Sequence, residues 1–162
     1  MSHPASPFDP RLFRNALGRF ASGVTIVTTY HEGATYGMTA NAFMSVSMSP
    51  PLVLVSIDHR AAMHTHLPKS KRYGVSILAE GQQALSNHFA GRSVEGFQVP
   101  FIERKGMPLI EGAVAYFVAN VVDEHLAGDH TLYIGEVEHF EAVESKPLLF
   151  YAGGYQQLNP HS

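Results

Sequence analysis

The sequence contains no cysteine, and this removes several chemistries at once. A disulfide framework, a thiolate nucleophile and an iron–sulfur cluster are excluded, and a metal would have to rest on histidines and carboxylates. Charge is scarce as well, at 15% of residues against about 25% in an average soluble domain. With 45% hydrophobic residues the chain can build a core and still hide part of its surface in a partner. Basic runs are missing: nothing exceeds Lys71-Arg72, and 11 Lys+Arg against 14 Asp+Glu leave a net charge of −3. Nucleic acid is therefore not an expected partner. No apolar run approaches the ~18 residues of a membrane span, and the start MSHPASPFDPR lacks the charged and apolar regions of a secretory signal. The expectation is a cytoplasmic protein without membrane attachment. Absent too are the GxSxG elbow, GxGxxG and the phosphate loop GxxxxGK followed by Ser or Thr, so neither a hydrolase triad, a Rossmann site nor phosphoryl transfer is indicated.

What is present reads as one domain over 9–162, preceded by a flexible arm over 1–8 rich in Pro and Ser. Asp9-Pro10 supplies a helix cap and a first-turn proline, and Phe13, Ala16, Leu17 and Phe20 repeat at helical spacing, which predicts a helix over 10–21 ended by Gly23. VTIVTTY and ATYGMTA, separated by His31-Glu32-Gly33, predict a hairpin. After Phe43 the segment MSVSMSPP alternates polar and apolar positions until Pro50-Pro51 breaks it, and further strands are expected over 52–58, 73–78, 113–125, 131–143 and 148–151. A helical turn is expected over 59–67 and a helix over 82–89, closed by Gly91, with a loop following. Hairpin-length connections without regular strand–helix alternation favour an antiparallel barrel of six or seven strands. Both alternating sets of 113–125 are apolar, so its second face is expected against another subunit or under a covering helix.

Among the polar residues, His59, His64 and His66 cluster in sequence. A turn followed by a helix does not bring three imidazoles to one focus, so no metal is expected. The stretch 37–47 joins small residues with Thr39, Asn41, Ser45 and Ser47. It suits either a flat heteroaromatic ligand with hydrogen-bonding edges or ordinary local turns. Ala127-Gly128-Asp129-His130-Thr131 breaks two apolar strands and reads either as a cofactor contact through His130 or as a hairpin turn.

Five separated blocks, GRFASGVTIVTT, GMTANAFMSVSMSPPLVLVSID, NHFAGR, AGDHTLYIGEVE and LLFYAGGYQQL, span roughly residues 9–158. In order and spacing they resemble the short-chain flavin reductases, in particular the small reductase components of phenol and 4-hydroxyphenylacetate two-component monooxygenases. The resemblance implies a mainly β, antiparallel Greek-key split barrel with a few short flanking helices, binding FMN or FAD and forming a homodimer with the flavin near the subunit boundary. It implies that Met38, Thr39, Ala40, Asn41, Ala42 and Phe43 line the isoalloxazine ring. Ser45, Val46, Ser47, Ser56, Ile57 and Asp58 would follow the ring and ribityl chain, and His59, Arg60, His64 and Thr65 would face the phosphate. Phe89, Ala90 and Gly91 would close over the flavin, while Gly128, Asp129 and His130, with Tyr155, would meet the nicotinamide of NADH or NADPH. The loop after Asp58 departs from many relatives in having fewer hydroxyls, leaving Arg60 and the imidazoles of His59 and His64 as the donors for a phosphate. The implied activity is reduction of flavin by NAD(P)H and supply of reduced flavin to a separate monooxygenase. A flavoprotein that keeps its FMN and acts on its own substrate, and a non-catalytic flavin carrier, are the alternatives. Hydride transfer between two cofactors needs no protein acid or base, which fits the missing catalytic motifs.

Overall fold

The β-branched run after Val24 forms a strand because its branched side chains fit a pleated surface, and it reverses through Glu32 and Gly33, both at positive φ (50° and 78°). The computed structural model describes residues 8–159, so the expected arm lies outside the described residues except for Phe8, whose ring meets Phe13 edge-on. The elements in chain order are α1 (Pro10–Leu17), β1 (Ser22–Gly23), β2 (Thr25–His31), β3 (Ala34–Ala40), β4 (Phe43–Met48), β5 (Pro51–Asp58), α2 (Met63–Ser70), β6 (Arg72–Ile77), α3 (Gln83–Phe89), β7 (Phe101–Arg104), β8 (Met107–Ile110), β9 (Ala115–Ala127), β10 (His130–Ala142), β11 (Leu148–Tyr151) and β12 (Gly154–Gln157).

Seven strands form one antiparallel sheet in the order β3-β2-β6-β9-β10-β5-β4. Its core draws Val27, Ala40, Val55, Ile57, Tyr73, Ala119 and Tyr133 from six strands, with Phe43 of β4 packed against them. The sheet therefore curls around a single interior, and Met63 and Leu67 of α2 close one end of it. Its two edges, β3 and β4, follow each other in the chain yet do not pair, so the expected barrel is open along that seam. The chain passes from β5 to β6 through α2, skipping β9 and β10, which is the Greek-key crossover.

Two smaller sheets pack outside the barrel. β1-β11-β12 joins the start of the described chain to its end, pairing Ser22 with Phe150. The hairpin β7–β8 lies on the outer face of β2 and β6, and its Met107 and Leu109 pack with Tyr116 and Val118 of β9. This corrects one expectation for 113–125: the part of the second apolar face formed by Tyr116 and Val118 is covered by a β-hairpin of the same chain rather than by a helix, while Val122 farther along the strand is exposed. Four-residue strands, the first following Pro100 and the second containing Pro108, carry too little alternation to register, which is why 101–110 reads as loop in the sequence. β1 and β12 escape notice for the same reason of length. The first helix is also shorter than expected: it ends at Leu17 with Gly18 as its cap, while Gly23 sits in β1. None of its residues is buried, so its apolar stripe has no cover within the described residues. Among the described residues no helix is long and apolar enough to cross a membrane.

Candidate functional site

The barrel seam is held from both sides. The Ala40 carbonyl accepts a hydrogen bond from Thr25 Oγ1 at 2.7 Å, and the Ala42 carbonyl accepts one from the Ser56 amide at 3.1 Å. Between these tethers Asn41 is exposed, and its side-chain amide has no hydrogen-bond partner among the described residues. Next to it α3 is docked on β3. Thr39 Oγ1 donates to the Ser86 carbonyl at 2.6 Å, and the Phe89 ring lies where a side chain at Gly37 would stand, 2.7 Å from the Cβ position. Tyr155 of β12 completes the wall: its hydroxyl meets Ser86 Oγ at 2.6 Å and donates to Asn87 Oδ1 at 3.1 Å. These elements enclose a hollow of about 190 Å³ whose walls include Thr39, Ala40, Asn41, Ser86, Ala90 and Tyr155.

The other expected ring-side residues divide by strand alternation. Met38 and Phe43 pack against the barrel core, and Ile57 is wholly inside it, so the Ile57 side chain is out of reach of a ligand. On the edge strand β4 the ladder shifts between Ser45 and Ser47, leaving Val46 outside the pairing and partly exposed. Gly91 adopts φ 85° where the chain leaves Ala90, the C-cap of α3.

A second grouping forms where β5 ends beside the start of β10. Asp58 pairs with His130 in the ladder, and the His59 amide donates to the Asp129 carbonyl at 2.9 Å. Arg60 folds back onto Asp58, with Nη2 2.8 Å from Oδ2, Nε 3.2 Å from Oδ1 and its own amide 2.8 Å from Oδ1. The guanidinium hydrogen bonds hold the Asp58 carboxyl well below the usual range. His130 Nδ1 lies 2.7 Å from Asp129 Oδ1, and this hydrogen bond lowers the Asp129 carboxyl in the same way. Gly128 makes the turn into β10 at φ 63°. His59 and His64 stack at 4.6 Å, with His59 Nε2 2.9 Å from Thr131 Oγ1 and His64 Nδ1 2.7 Å from the buried Tyr133 hydroxyl. Thr65 stands in the first turn of α2, its amide donating to the Ala62 carbonyl. His66 turns away to stack on Tyr36 at 3.5 Å.

The expected residues therefore fall into two places. Thr39, Ala40, Asn41, Ala90 and Tyr155 meet at the seam, while Asp58, His59, Arg60, His64, Asp129 and His130 meet at the β5–β10 end. Tyr155 and His130, both assigned to the nicotinamide side, have no hydrogen-bond partner in common, and Tyr155 lines the seam hollow whereas His130 does not. Sequence reasoning did not single out Ser86, Arg92 or Phe150, which also line the seam hollow. The blocks NHFAGR and LLFYAGGYQQL contain Arg92 and Phe150 and carry the signal for both.

The profile of the Flavin reductase like domain matches residues 17–159. The chain belongs to this family. An NADH-dependent flavin reductase from Rhodococcus sp is 50% identical over 165 residues, covering 98% of this chain and 94% of the relative. The reductase component of 4-hydroxyphenylacetate 3-monooxygenase from Thermus thermophilus is 40% identical over 147 residues, covering 90% and 95%. Among solved structures of flavin reductases, PheA2 in its native state superposes with a TM-score of 0.92 at 52% identity, covering 94% of this chain and 99% of that one. The Streptomyces globisporus NADH:FAD oxidoreductase SgcE6, in complex with NAD and FAD fragments, superposes with a TM-score of 0.90 at 36% identity, covering 99% of both chains.

Proposed function

We propose that this chain is an NADH-dependent flavin reductase that reduces FMN or FAD and supplies the reduced flavin to a separate monooxygenase component. The observation that carries the reading is the seam hollow, built of Thr39, Ala40, Asn41, Ala90 and Tyr155 in a chain half identical to an NADH-dependent flavin reductase. The residues present fit a flavin. Small side chains at 40 and 90 let a flat ring approach the backbone, the unpartnered amide of Asn41 offers both a donor and an acceptor, and no carboxylate lines the hollow to oppose the negative charge a ring gains on reduction. The bound flavin supplies the electron-accepting ring to which the nicotinamide passes its hydride. The chain's own task is positional. Asn41 orients a polar ring edge, the Thr39–Ser86 and Tyr155–Ser86 bonds keep α3 against the seam, and α3 with Gly91 covers the site from water.

A homodimer belongs to this reading. Met48 is 92% exposed on the unpaired edge β4, Leu126 is 77% exposed near the tip of β9, and Phe140 of β10 and the stripe of α1 are also uncovered. With the flavin at the boundary between copies, His130 and Tyr155 can serve one site from different chains. Phosphate contacts at the β5–β10 end fall to His59, His64 and Thr65, because Arg60 is engaged with Asp58. Metal plays no part in the reading, and the reaction belongs in the cytoplasm, where reduced nicotinamide is available.

Oxidation of NADH and NADPH, followed with and without added FMN or FAD, tests the reading. Turnover saturating with added flavin is expected; absence of turnover with every pair, alongside flavin retained through gel filtration, would move the reading to a flavoprotein with its own substrate or a carrier. His130→Ala is expected to raise the KM for NADH roughly tenfold, the loss of about one hydrogen bond, with flavin affinity little changed. Unchanged kinetics would remove His130 from the nicotinamide side.

A further inference from the structure

Beside the seam hollow lies a larger cleft of about 660 Å³, between the end of α1, with Arg14, Arg19 and Phe20, and the turn joining β11 to β12. Asn41 and Phe150 line both spaces, so the two are adjacent. The cleft is fixed rather than incidental. Asp9 caps α1 by accepting from the Arg11 amide at 2.9 Å, and the Ala152 amide donates to the Gly18 carbonyl at 2.9 Å, binding the helix end to the turn.

The charge of this space is of one sign. Of the arginines, Arg60, Arg72 and Arg104 are ion-paired with Asp58, Glu138 and Glu141. Arg11, Arg14, Arg19 and Arg92 have no carboxylate partner among the described residues, and all of these except Arg11 line the two adjacent spaces. No carboxylate lines either of them. In a chain of net charge −3 this places three of the four arginines that lack a carboxylate partner around these adjacent spaces. Arg19 is steered by a long hydrogen bond from Nη1 to the Tyr151 hydroxyl at 3.4 Å, and Phe20, 86% exposed, presents a bare ring beside it.

Guanidinium forks beside aromatic faces match a diphosphate attached to a flat base. Size decides how much of a ligand fits where: small-molecule sites usually run to about 300–1,000 Å³. The hollow of about 190 Å³ is too small for more than a ring edge, whereas the cleft of about 660 Å³ has room for a nucleotide. We infer that the cleft takes the ADP half of a dinucleotide, with Arg14 and Arg19 on its diphosphate and the other half reaching the seam at Asn41. The inference rests on the flavin reductase reading and deepens it, since NADH and FAD both carry an ADP half and FMN does not.

The test compares Arg14→Gln, Arg19→Gln and the double variant with wild type, using Arg11→Gln, an unpaired arginine of the same helix outside the cleft, as the control. FMN and FAD are titrated by quenching of flavin fluorescence, and NAD⁺ and nicotinamide mononucleotide by calorimetry. The double variant is expected to lose about tenfold or more in affinity for at least one dinucleotide and little for its mononucleotide counterpart. Loss confined to FAD over FMN assigns the cleft to the flavin's ADP half; loss confined to NAD⁺ over the mononucleotide assigns it to the nicotinamide's. Equal affinities for all four ligands, equal losses for mono- and dinucleotides, or the same loss in Arg11→Gln would overturn the inference while wild type still oxidises NADH with flavin. Wild type that binds neither flavin nor nicotinamide would overturn the flavin reductase reading as well.

Discussion

Gly135 shows how tightly a single residue is specified here. It sits on β10 at a register shift, and a Cβ there would stand 2.7 Å from both the Ala119 Cβ and the Tyr73 hydroxyl. That hydroxyl is fully buried and shared between the carbonyls of Tyr133, at 3.1 Å, and Val53, at 3.3 Å, and burial pushes the phenol above its ordinary value. Neither neighbour can yield, because one is packed in the barrel core and the other is bonded to two strands. Gly135→Ala is therefore expected to destabilise the fold by about 1–3 kcal/mol in urea denaturation. Adding Tyr73→Phe, which removes the obstructing oxygen, should cost less than the two single changes together, and strict additivity would show that the clash is not the cause. At the site, Asn41 and Thr39 were legible in the sequence as polar residues among small ones, but which side chains face a ligand was not. Met38 and Ile57 lie close in sequence to seam and loop residues and point into the core, a matter of strand alternation and curl.

Among the elements, β7–β8 has the most weight for its length. Met107 and Leu109 are almost completely buried against Tyr116 and Val118, and Thr28 Oγ1 donates to the Pro108 carbonyl at 2.5 Å. Leu109→Ala should cost ~2–5 kcal/mol, as other truncations of buried leucine do, read as a lowered urea midpoint; a loss below half a kcal/mol would mean the hairpin is loosely applied. The long strands and the hairpin β2–β3 were legible because VTIVTTY and ATYGMTA carry β-branched residues across an obvious turn, and α3 because Gly91 closes it. The outer hairpin was not, since two four-residue strands, one following Pro100 and one containing Pro108, show no period until something packs against them. The same blindness applies to α1. Its spacing announces an apolar stripe, but whether that stripe meets this chain, another copy or a ligand is decided by tertiary geometry.

For the whole molecule, the carboxylates with resolved shifts all move in one direction. Asp58 is lowered by Arg60, Asp129 by His130, Glu138 by Arg72 and Glu141 by His139 and Arg104. A carboxyl that holds its proton less readily folded than unfolded contributes stability that is fully present above its unfolded pKa, about 4, and is lost as pH falls through the folded value. The urea midpoint should thus change little through these groups between about pH 7 and 5 and fall between about pH 4 and 2.5. A midpoint that rises on acidification through that lower interval would contradict the assigned pairs.

The three-stranded sheet has a different consequence, in time rather than in energy. β1 and β11 are at opposite ends of the described chain, and closing so long a loop is among the slow events of folding. Every strand of the barrel lies in the chain before Phe150, Ala152 and Gly153, which form one wall of the arginine-lined cleft. A chain cut after β10 would keep every strand of the barrel and lose that wall of the cleft, so the barrel can close without the cleft but the cleft cannot form without the chain's last strands.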